Sequence, residues 1–148
     1  VIVGSETSPA YAQGIREKVE LLPSAVSSNI HFVGHVTQGQ LKGLYRQSSA
    51  LVTLSEHEGF CIPLLEAMYF ELPIFARNSS AIPETLGREH GLFDQQTLSQ
   101  YAIEVYELIH DSQRRDELIE SQNRALDSIL LACNGKQLLD VIKNITKV

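Results

Sequence analysis

Short apolar runs alternate with longer amphipathic segments along this chain. The apolar runs are too short for buried helices and predict β-strands; they are Val1–Val3, Ile30–Val33, Ala50–Leu54, Pro73–Ala76 and Gly91–Asp94. Apolar positions at helical spacing predict the helices between and after them; these run from Pro9 to about Leu22, after Thr37, over Pro63–Phe70 and Ile82–Leu86, from about Thr97 to His110, from Asp111 to about Leu131, and over Gln137–Ile145. Strands that alternate with helices predict an α/β fold with parallel strands and right-handed crossovers.

The segment that follows the third strand predicts a binding corner. Ala50–Leu54 is almost entirely apolar, as in a buried parallel strand, and a polar loop centred on Gly59 follows it. Pro63 then stands where a helix begins, a position that suits proline because the first helical turn has no partner for its missing N–H. Free backbone N–H groups and the partial positive charge of a helix N-terminus attract anions. Ligands of open α/β sheets bind at this carboxyl end of the strands.

Two carboxylates flank this corner. Glu58 lies in the loop, and Glu66 lies about one turn into the helix. Carboxylates accept hydrogen bonds from hydroxyl groups, which a sugar or a ribose offers. Burial of a carboxylate without a partner costs several kcal/mol, so we expect Glu66 to face the open end of the site. On the preceding helix, Tyr45 is predicted to belong to the apolar face.

The residues around this pair resemble a known family. Glu58 and Glu66 enclose the seven residues G-F-C-I-P-L-L, and A-M follows. With Leu72-Pro73-Ile74 and Ile82-Pro83-Glu84 after it, the string resembles the E-x7-E signature of retaining nucleotide-sugar glycosyltransferases of GT-B architecture, of the group 1 or family 4 type. The spacing alone would occur by chance in a chain with 18 acidic residues. The alternative interpretation is a generic strand–loop–helix corner whose glycine and proline only shape the turn.

The resemblance covers nearly the whole chain and implies a fold and an activity. The fold is α/β, with a Rossmann-like parallel sheet and helices on both faces, as in the C-terminal half of a GT-B enzyme. Residues 1–148 would form the nucleotide-sugar-binding domain. The reaction would retain anomeric configuration without a bound metal, and the departing diphosphate would assist attack by the acceptor. Glu58 would be the catalytic residue, at the transferred sugar near the reacting carbon, and Glu66 would bind the ribose hydroxyls.

The resemblance also implies further substrate-binding positions. Backbone N–H groups of Gly59, Phe60 and Cys61 would hold the donor sugar and its phosphates, and Ile62 belongs to the same segment. Gly4 would lie near the phosphates, and the alternative is a plain strand-end turn. His35, which follows Phe32-Val33-Gly34, would lie against the nucleobase and contact it through backbone atoms; the alternative is a solvated loop residue.

The chain departs from the family pattern at several positions. Cys61 replaces a usual glycine, Ser79-Ser80 stand where Gly-Gly is common, and Glu71 stands where glycine is frequent. A side chain is costly if such a position needs a positive φ. These departures favour an alternative function, a non-catalytic nucleotide-sugar-binding module with a degenerate site. A purely structural or interaction domain is disfavoured, because nothing in folding requires both Glu58 and Glu66.

The beginning of the chain predicts a fragment of a longer polypeptide. It opens directly on the strand Val1–Val3, with no methionine or leader before it. The phosphate-binding Arg and Lys of the family, and its whole acceptor-binding half, would precede this strand. The expected partners are therefore the N-terminal domain of the same polypeptide, a UDP-, GDP- or ADP-linked sugar, and a sugar, lipid or protein acceptor that the sequence does not identify.

Composition narrows the class of protein. A length of 148 residues suits one domain, and a net charge of −6 argues against nucleic acid as a partner and against a polybasic membrane patch. No apolar run approaches the roughly 18 residues that span a bilayer. The two cysteines, Cys61 and Cys133, are not expected to pair, because one lies in the site, and a reduced cytoplasmic context fits. Membrane association, if present, would come through the N-terminal half. His57 and Cys61 lie near each other, but no further metal-binding residues accompany them, so no metal site is predicted. No cofactor is predicted either, because the nucleotide sugar is the substrate.

Overall fold

The computed structural model describes residues 1–5, 8–87, 91–94 and 97–132 of the chain. The predicted helix Gln137–Ile145 lies outside these ranges. The chain divides into two compact units, Val1–Leu41 and Lys42–Val148.

The first unit contains a small parallel sheet and two helices. Its elements are β1 (Ile2–Val3), α1 (Pro9–Glu20), α2 (Ser24–Ser27) and β2 (Phe32–Gly34). Strand β1 falls within the predicted strand Val1–Val3; in this unit it pairs with β2 alone among the described residues, and the register shifts after its first residue. Helix α2 is a single turn of four residues, too short to show apolar periodicity, so it is absent from the predicted helices.

Helix α3 (Gln38–Gln47) begins with the predicted Thr37 cap. The hydroxyl of Thr37 accepts a hydrogen bond from the N–H of Gln40 at 3.3 Å, and the Gln40 side chain accepts one from the N–H of Thr37 at 2.9 Å. This reciprocal pair satisfies two donors that the first helical turn would otherwise leave without partners.

The second unit contains a three-stranded parallel sheet flanked by helices. The strands are β3 (Leu51–Thr53), β4 (Ile74–Arg77) and β5 (Leu92–Phe93), with β4 in the middle. The helices are α4 (Ile62–Tyr69), α5 (Ile82–Leu86), α6 (Leu98–His110) and α7 (Ser112–Ala132). Helix α7 packs against α4, α5 and α6. The parallel strands and alternating helices confirm the α/β, Rossmann-like fold class.

Strand β4 forms the centre of the core. Phe75 is 1% exposed and packs against residues of α6 and α7, namely Tyr101, Leu108 and Leu118. Its neighbours Ile74 and Ala76 point to the opposite face of the sheet and are fully buried. A strand covered on both faces explains the unbroken apolar run that predicted it.

The side chain of Gln122 completes the hydrogen bonding of β4. Its amide nitrogen donates to the carbonyl oxygen of Ile74 at 3.0 Å, and its amide oxygen accepts from the N–H of Ile74 at 3.3 Å. The short strand β5 pairs with β4 only at Ala76 and Arg77, so it leaves Ile74 to another partner. Gln122 is 2% exposed and acts there as a substitute for the backbone of a neighbouring strand.

We predict that Gln122→Leu destabilises the fold. It would leave a buried N–H and a buried C=O of β4 without partners, at a cost of about 2–4 kcal/mol in the free energy of unfolding. Urea denaturation measures this change. Gln113→Leu on the exposed face of the same helix, where Glu117 is the described partner of the amide, is the control and should change stability by less than about 0.5 kcal/mol. Equal effects of the two substitutions would contradict the assignment.

Three of the described non-glycine residues adopt a left-handed backbone. They are Cys61, Glu71 and Ser80, with φ of 51°, 53° and 50°. The resemblance expects glycine at each of these positions, so the backbone keeps a glycine-like conformation without the glycine. At Glu71 the reason is the end of helix α4: the N–H of Glu71 donates to the carbonyl of Met68, and the N–H of Leu72 donates to that of Ala67. This pair of bonds defines a Schellman motif, which needs a left-handed residue.

We predict that Glu71→Gly stabilises the protein. Glycine removes the cost of about 1–2 kcal/mol of a left-handed L-residue, while greater freedom of the unfolded chain offsets part of the gain. The midpoint of urea unfolding should rise by the equivalent of about 0.5–1 kcal/mol with an unchanged slope. Glu71→Ala removes the same carboxylate but keeps the left-handed strain, so it should give no such gain. A gain from alanine as large as that from glycine would contradict a backbone origin.

Candidate functional site

The predicted corner lies at the carboxyl end of β3. The chain leaves the strand at Thr53 and enters α4 at Ile62, with Pro63 in the first helical turn as predicted. The next five residues of α4, from Leu64 to Met68, are all buried. The helix is therefore fixed in the core while its amino end meets the loop.

Glu66 is placed differently from expectation. Its side chain was predicted to face the open end of the site, but the residue is only 6% exposed. Burial is possible because the phenol of Tyr45, on α3, donates a hydrogen bond to Glu66 Oε2 at 2.8 Å. Sequence reasoning placed Tyr45 on an apolar face and missed this contact. The available signal was the tyrosine itself, since a buried tyrosine hydroxyl usually has a polar partner.

Glu58 and Cys61 form a second pair at the amino end of α4. Glu58 is half-buried, and its carboxylate is a hydrogen-bond partner of the Cys61 thiol. Burial, and after it the charge of Glu58, raises the pKa of the Cys61 thiol. Cys61 in turn lies close enough to Tyr45 to contribute to the raised pKa of that phenol, after burial and Glu66. The structure thus brings Glu58, Cys61 and Glu66 together, with Tyr45 as an additional member.

The backbone between the two acids is exposed and strained. Cys61 precedes the first residue of α4 in a left-handed conformation, and its carbonyl accepts a hydrogen bond from the N–H of Leu64 at 2.9 Å. The expectation that a positive φ makes cysteine costly here is confirmed by its φ of 51°. Among the described residues, no side chain caps this end of the helix. Gly59 is exposed, and Phe60 and Ile62 are 42% and 39% exposed, so the loop can be reached by a ligand.

The loop after β4 holds the site loop in place. The hydroxyl of Ser79 donates to the carbonyl of Ser55 at 2.7 Å, and that of Ser80 donates to the carbonyl of Glu56 at 3.3 Å. The guanidinium of Arg77 forms an exposed ion pair with the Glu56 carboxylate at 2.8 Å. In the sequence, the two serines were notable only because they stand where the family commonly has Gly-Gly. Their role as hydrogen-bond donors to the site loop was missed, and no spacing in the sequence indicates it.

Gly4 and His35 belong to the first unit, whereas the other predicted site residues belong to the second. The N–H of Gly4 donates to the carbonyl of Gly34 at 3.0 Å, so Gly4 lies beside the residue that precedes His35. Gly4 lines a cavity of about 400 Å³ together with Ser5, Ser8 and Tyr11. His35 is exposed.

Two kinds of feature are absent from the described residues. No cluster of three or more histidine, cysteine, aspartate or glutamate side chains in this part of the chain is arranged to hold a metal ion. No helix within the described ranges has both the length and the apolar character to cross a membrane.

We predict that Glu58→Gln accelerates alkylation of Cys61 by iodoacetamide. The thiolate is the reactive form, and a raised pKa means that less thiolate is present at pH 8 than in an ordinary thiol. Removal of the Glu58 charge lowers that pKa, so the pH–rate curve should move to lower pH. The measurement uses mass spectrometry in a Cys133→Ser background, so that only one thiol reacts.

Glu56→Gln is the matched control for this experiment. Glu56 lies two residues before Glu58 in the same loop, but its carboxylate forms an ion pair with Arg77. It should leave the pH–rate curve of Cys61 where it is in the wild type. Identical curves for Glu58→Gln and the wild type would show that Glu58 and Cys61 do not interact.

Comparison with known proteins identifies the family to which the chain is similar. Residues 1–124 match the family described as glycosyl transferases group 1. The chain is 28% identical over 87 residues to O-antigen chain mannosyltransferase B of Escherichia coli, a match that covers 59% of this chain and 23% of that protein. It is 36% identical over 67 residues to the serotype-specific mannosyltransferase WbdA of Escherichia coli, covering 45% of this chain and 8% of that protein.

A vertebrate protein is also similar to this chain. The glycosyltransferase 1 domain-containing protein 1 of Xenopus tropicalis is 29% identical over 77 residues, covering 52% of this chain and 21% of that protein. In these three relatives the matched region is less than a quarter of the whole length. The family match extends over most of the chain and includes the corner built by Glu58 and Glu66. The chain therefore belongs to the group 1 glycosyltransferases.

Proposed function

We propose that residues 1–148 act as the nucleotide-sugar-binding domain of a retaining glycosyltransferase of GT-B architecture. The observation that carries this proposal is the placement of Glu58 and Glu66 around the amino end of α4, at the carboxyl end of a parallel strand. Phosphates suit the helix terminus, and hydroxyl groups suit the two carboxylates. A nucleoside diphosphate sugar offers both chemistries in one molecule, as the substrate rather than as a cofactor.

In this proposal the two acids have separate roles. Glu66 accepts hydrogen bonds from the ribose hydroxyls, and Glu58 contacts hydroxyls of the transferred sugar near the reacting carbon. Backbone N–H groups of Gly59, Phe60 and Cys61 hold the sugar and its phosphates. The nucleobase and phosphates would also meet the segments at His35 and Gly4, through backbone atoms.

The helix terminus supplies the electrostatic part of catalysis. Bond cleavage leaves negative charge on the diphosphate, and the partial positive charge of the α4 amino end stabilises it. The buried residues Leu64–Met68 fix the helix before the reaction, so its dipole need not reorganise as charge develops. The departing diphosphate then assists attack by the acceptor on the same face, which retains the anomeric configuration. This route uses no bound metal.

The relatives suggest the sugar. Two of them are named as mannosyltransferases, so we propose a hexose, with mannose as the first candidate. The acceptor would be held by an N-terminal domain of the same polypeptide, in the cytoplasm, and the reaction would take place in the cleft between the two. We therefore expect this chain alone to bind nucleotide weakly and to transfer no sugar. Sugar transfer by the isolated chain would contradict that division of labour.

We predict that one of UDP, GDP and ADP binds this chain and that Glu66→Ala weakens its binding. Loss of a charged hydrogen-bond acceptor costs roughly 1–3 kcal/mol, which corresponds to an affinity about 5- to 150-fold lower. Calorimetric titration with the three nucleotides measures the change and identifies the base. Glu66→Gln repeats the test with the shape of the side chain preserved.

Glu117→Gln is the control for these titrations, because it removes an exposed carboxylate on α7 whose described partner is Gln113. It should bind as the wild type does. If no nucleotide binds this chain, the titration is repeated on the full-length protein, which would include the arginine and lysine that the resemblance places before Val1. Absence of binding there too would refute the donor-site assignment.

A second function is favoured by one observation, the left-handed backbone at Cys61. A non-glycine residue at that point strains the loop that would hold the donor phosphates, as expected for a nucleotide-sugar-binding module without catalysis. Sugar transfer by the full-length protein distinguishes the two functions, because a binding module would retain nucleotide affinity and show no turnover.

A further inference from the structure

Tyr45 is a buried titratable group of the second unit that the proposed chemistry does not use. It lies on α3, is 7% exposed, and donates a hydrogen bond of 2.8 Å to Glu66 Oε2. An ionised carboxylate can only accept hydrogen bonds, so the phenol is the donor of this pair. Twenty-one residues separate the two partners, and they belong to different helices.

The ring of Tyr45 is itself fixed. It stacks on Phe70, with ring centroids 5.5 Å apart and planes at 14°. Phe70 follows the last residue of α4, so the stack anchors Tyr45 to the carboxyl end of that helix. The hydroxyl lies 3.5 Å from the carbonyl oxygen of Pro63, in the first turn of the same helix. Tyr45 therefore contacts residues at both ends of α4, and these contacts restrict the movement of its hydroxyl.

The phenol is protonated wherever the protein is folded at ordinary pH. Burial, followed by the hydrogen bond and the charge of Glu66, holds the pKa of Tyr45 well above its ordinary value. The Tyr45 hydroxyl therefore keeps its proton, and with it the ability to donate to Glu66, in the neutral pH range.

We propose that Tyr45 is a positioning residue for ligand binding, which fixes the Glu66 carboxylate in the orientation that receives the ribose hydroxyls of a nucleoside diphosphate. This inference rests on the donor-site function proposed above. A carboxylate offers about four acceptor positions, and Tyr45 occupies one of them. In this proposal the ribose hydroxyls use others. Because the side chain of Glu66 is already immobilised, ligand binding need not bear the entropy cost of ordering it.

The test compares a ribonucleotide with its 2′,3′-dideoxy counterpart, using the nucleoside diphosphate that binds most tightly. The dissociation constant of the dideoxynucleotide divided by that of the ribonucleotide reports the contacts between Glu66 and the ribose hydroxyls. Tyr45→Phe should reduce this ratio by about two- to twelvefold, the equivalent of ordering one side chain. Affinity for the dideoxynucleotide should not change, since that ligand lacks the hydroxyls that Glu66 would receive. A purely structural role would lower the melting temperature and leave the ratio unchanged.

Tyr101→Phe is the matched control. Tyr101 is also a buried tyrosine of the second unit, and its hydroxyl donates to the carbonyl of Gly91 at 3.4 Å. Removal of the Tyr101 hydroxyl should leave the ratio of the two dissociation constants as in the wild type. Phe70→Leu is a second test that retains the phenol of Tyr45 but removes its stacking partner, and it should also reduce the ratio. An unchanged ratio in both Tyr45→Phe and Phe70→Leu would overturn the proposal.

A double-mutant cycle shows whether Tyr45 acts through Glu66. In a Glu66→Gln background, Tyr45→Phe should cause no further reduction of the ratio. A further reduction of the same size would overturn the positioning role, because the tyrosine would then act independently. If instead the wild type does not distinguish the two nucleotides, or Glu66→Gln leaves their ratio unchanged, the donor-site function fails and the positioning role fails with it.

Discussion

The packing of α3 and α4 in the second unit depends on one hydrogen bond to a buried carboxylate, that of Glu66. Glu66 lies in a run of buried residues in α4, where an unpartnered charge would cost several kcal/mol. The phenol of Tyr45 meets this requirement, and the ring that carries it must then lie at one place beside α4. Phe70 fixes the ring there by stacking, so a single polar requirement ties α3 to both ends of α4. The same contact that permits burial also orients a group suited to bind hydroxyls.

The loops at the carboxyl ends of β3 and β4 form a connected surface above this buried layer. Parallel neighbouring strands end at the same edge of the sheet, which brings Ser79 within hydrogen-bonding distance of the carbonyl of Ser55. The bond is buried in part, and it restrains the segment that leads to Glu58. The candidate site therefore combines the buried helix α4 with a loop whose first residues are hydrogen-bonded to the loop after β4. Exposure rises only at Gly59, Phe60 and Ile62, where a ligand would approach.

The sequence was sufficient for features that depend on neighbouring residues. The loop between β3 and α4, the proline in the first turn and the costly backbone at Cys61 were all predicted, because each depends on a few consecutive positions. Contacts between distant residues were not predictable in this way. Tyr45 and Gln122 lie 21 and 48 residues from their partners, and apolar periodicity shows that a side chain is buried without showing what it meets. The burial of Glu66, which was predicted to face the open end of the site, was not anticipated for this reason.

The amide of Gln122 has a consequence for where the folding unit ends. The last strand, β5, stops at Phe93, which suggests that the sheet is complete well before α7. Yet Ile74 in the middle strand takes its hydrogen bonds from α7, nearly thirty residues further along. A polypeptide cut before Gln122 would leave the N–H and the C=O of Ile74, in the buried middle strand, without these hydrogen-bond partners. The folding unit therefore extends beyond β5 into α7, and a version of this domain that ends before Gln122 would lose stability at the centre of its sheet.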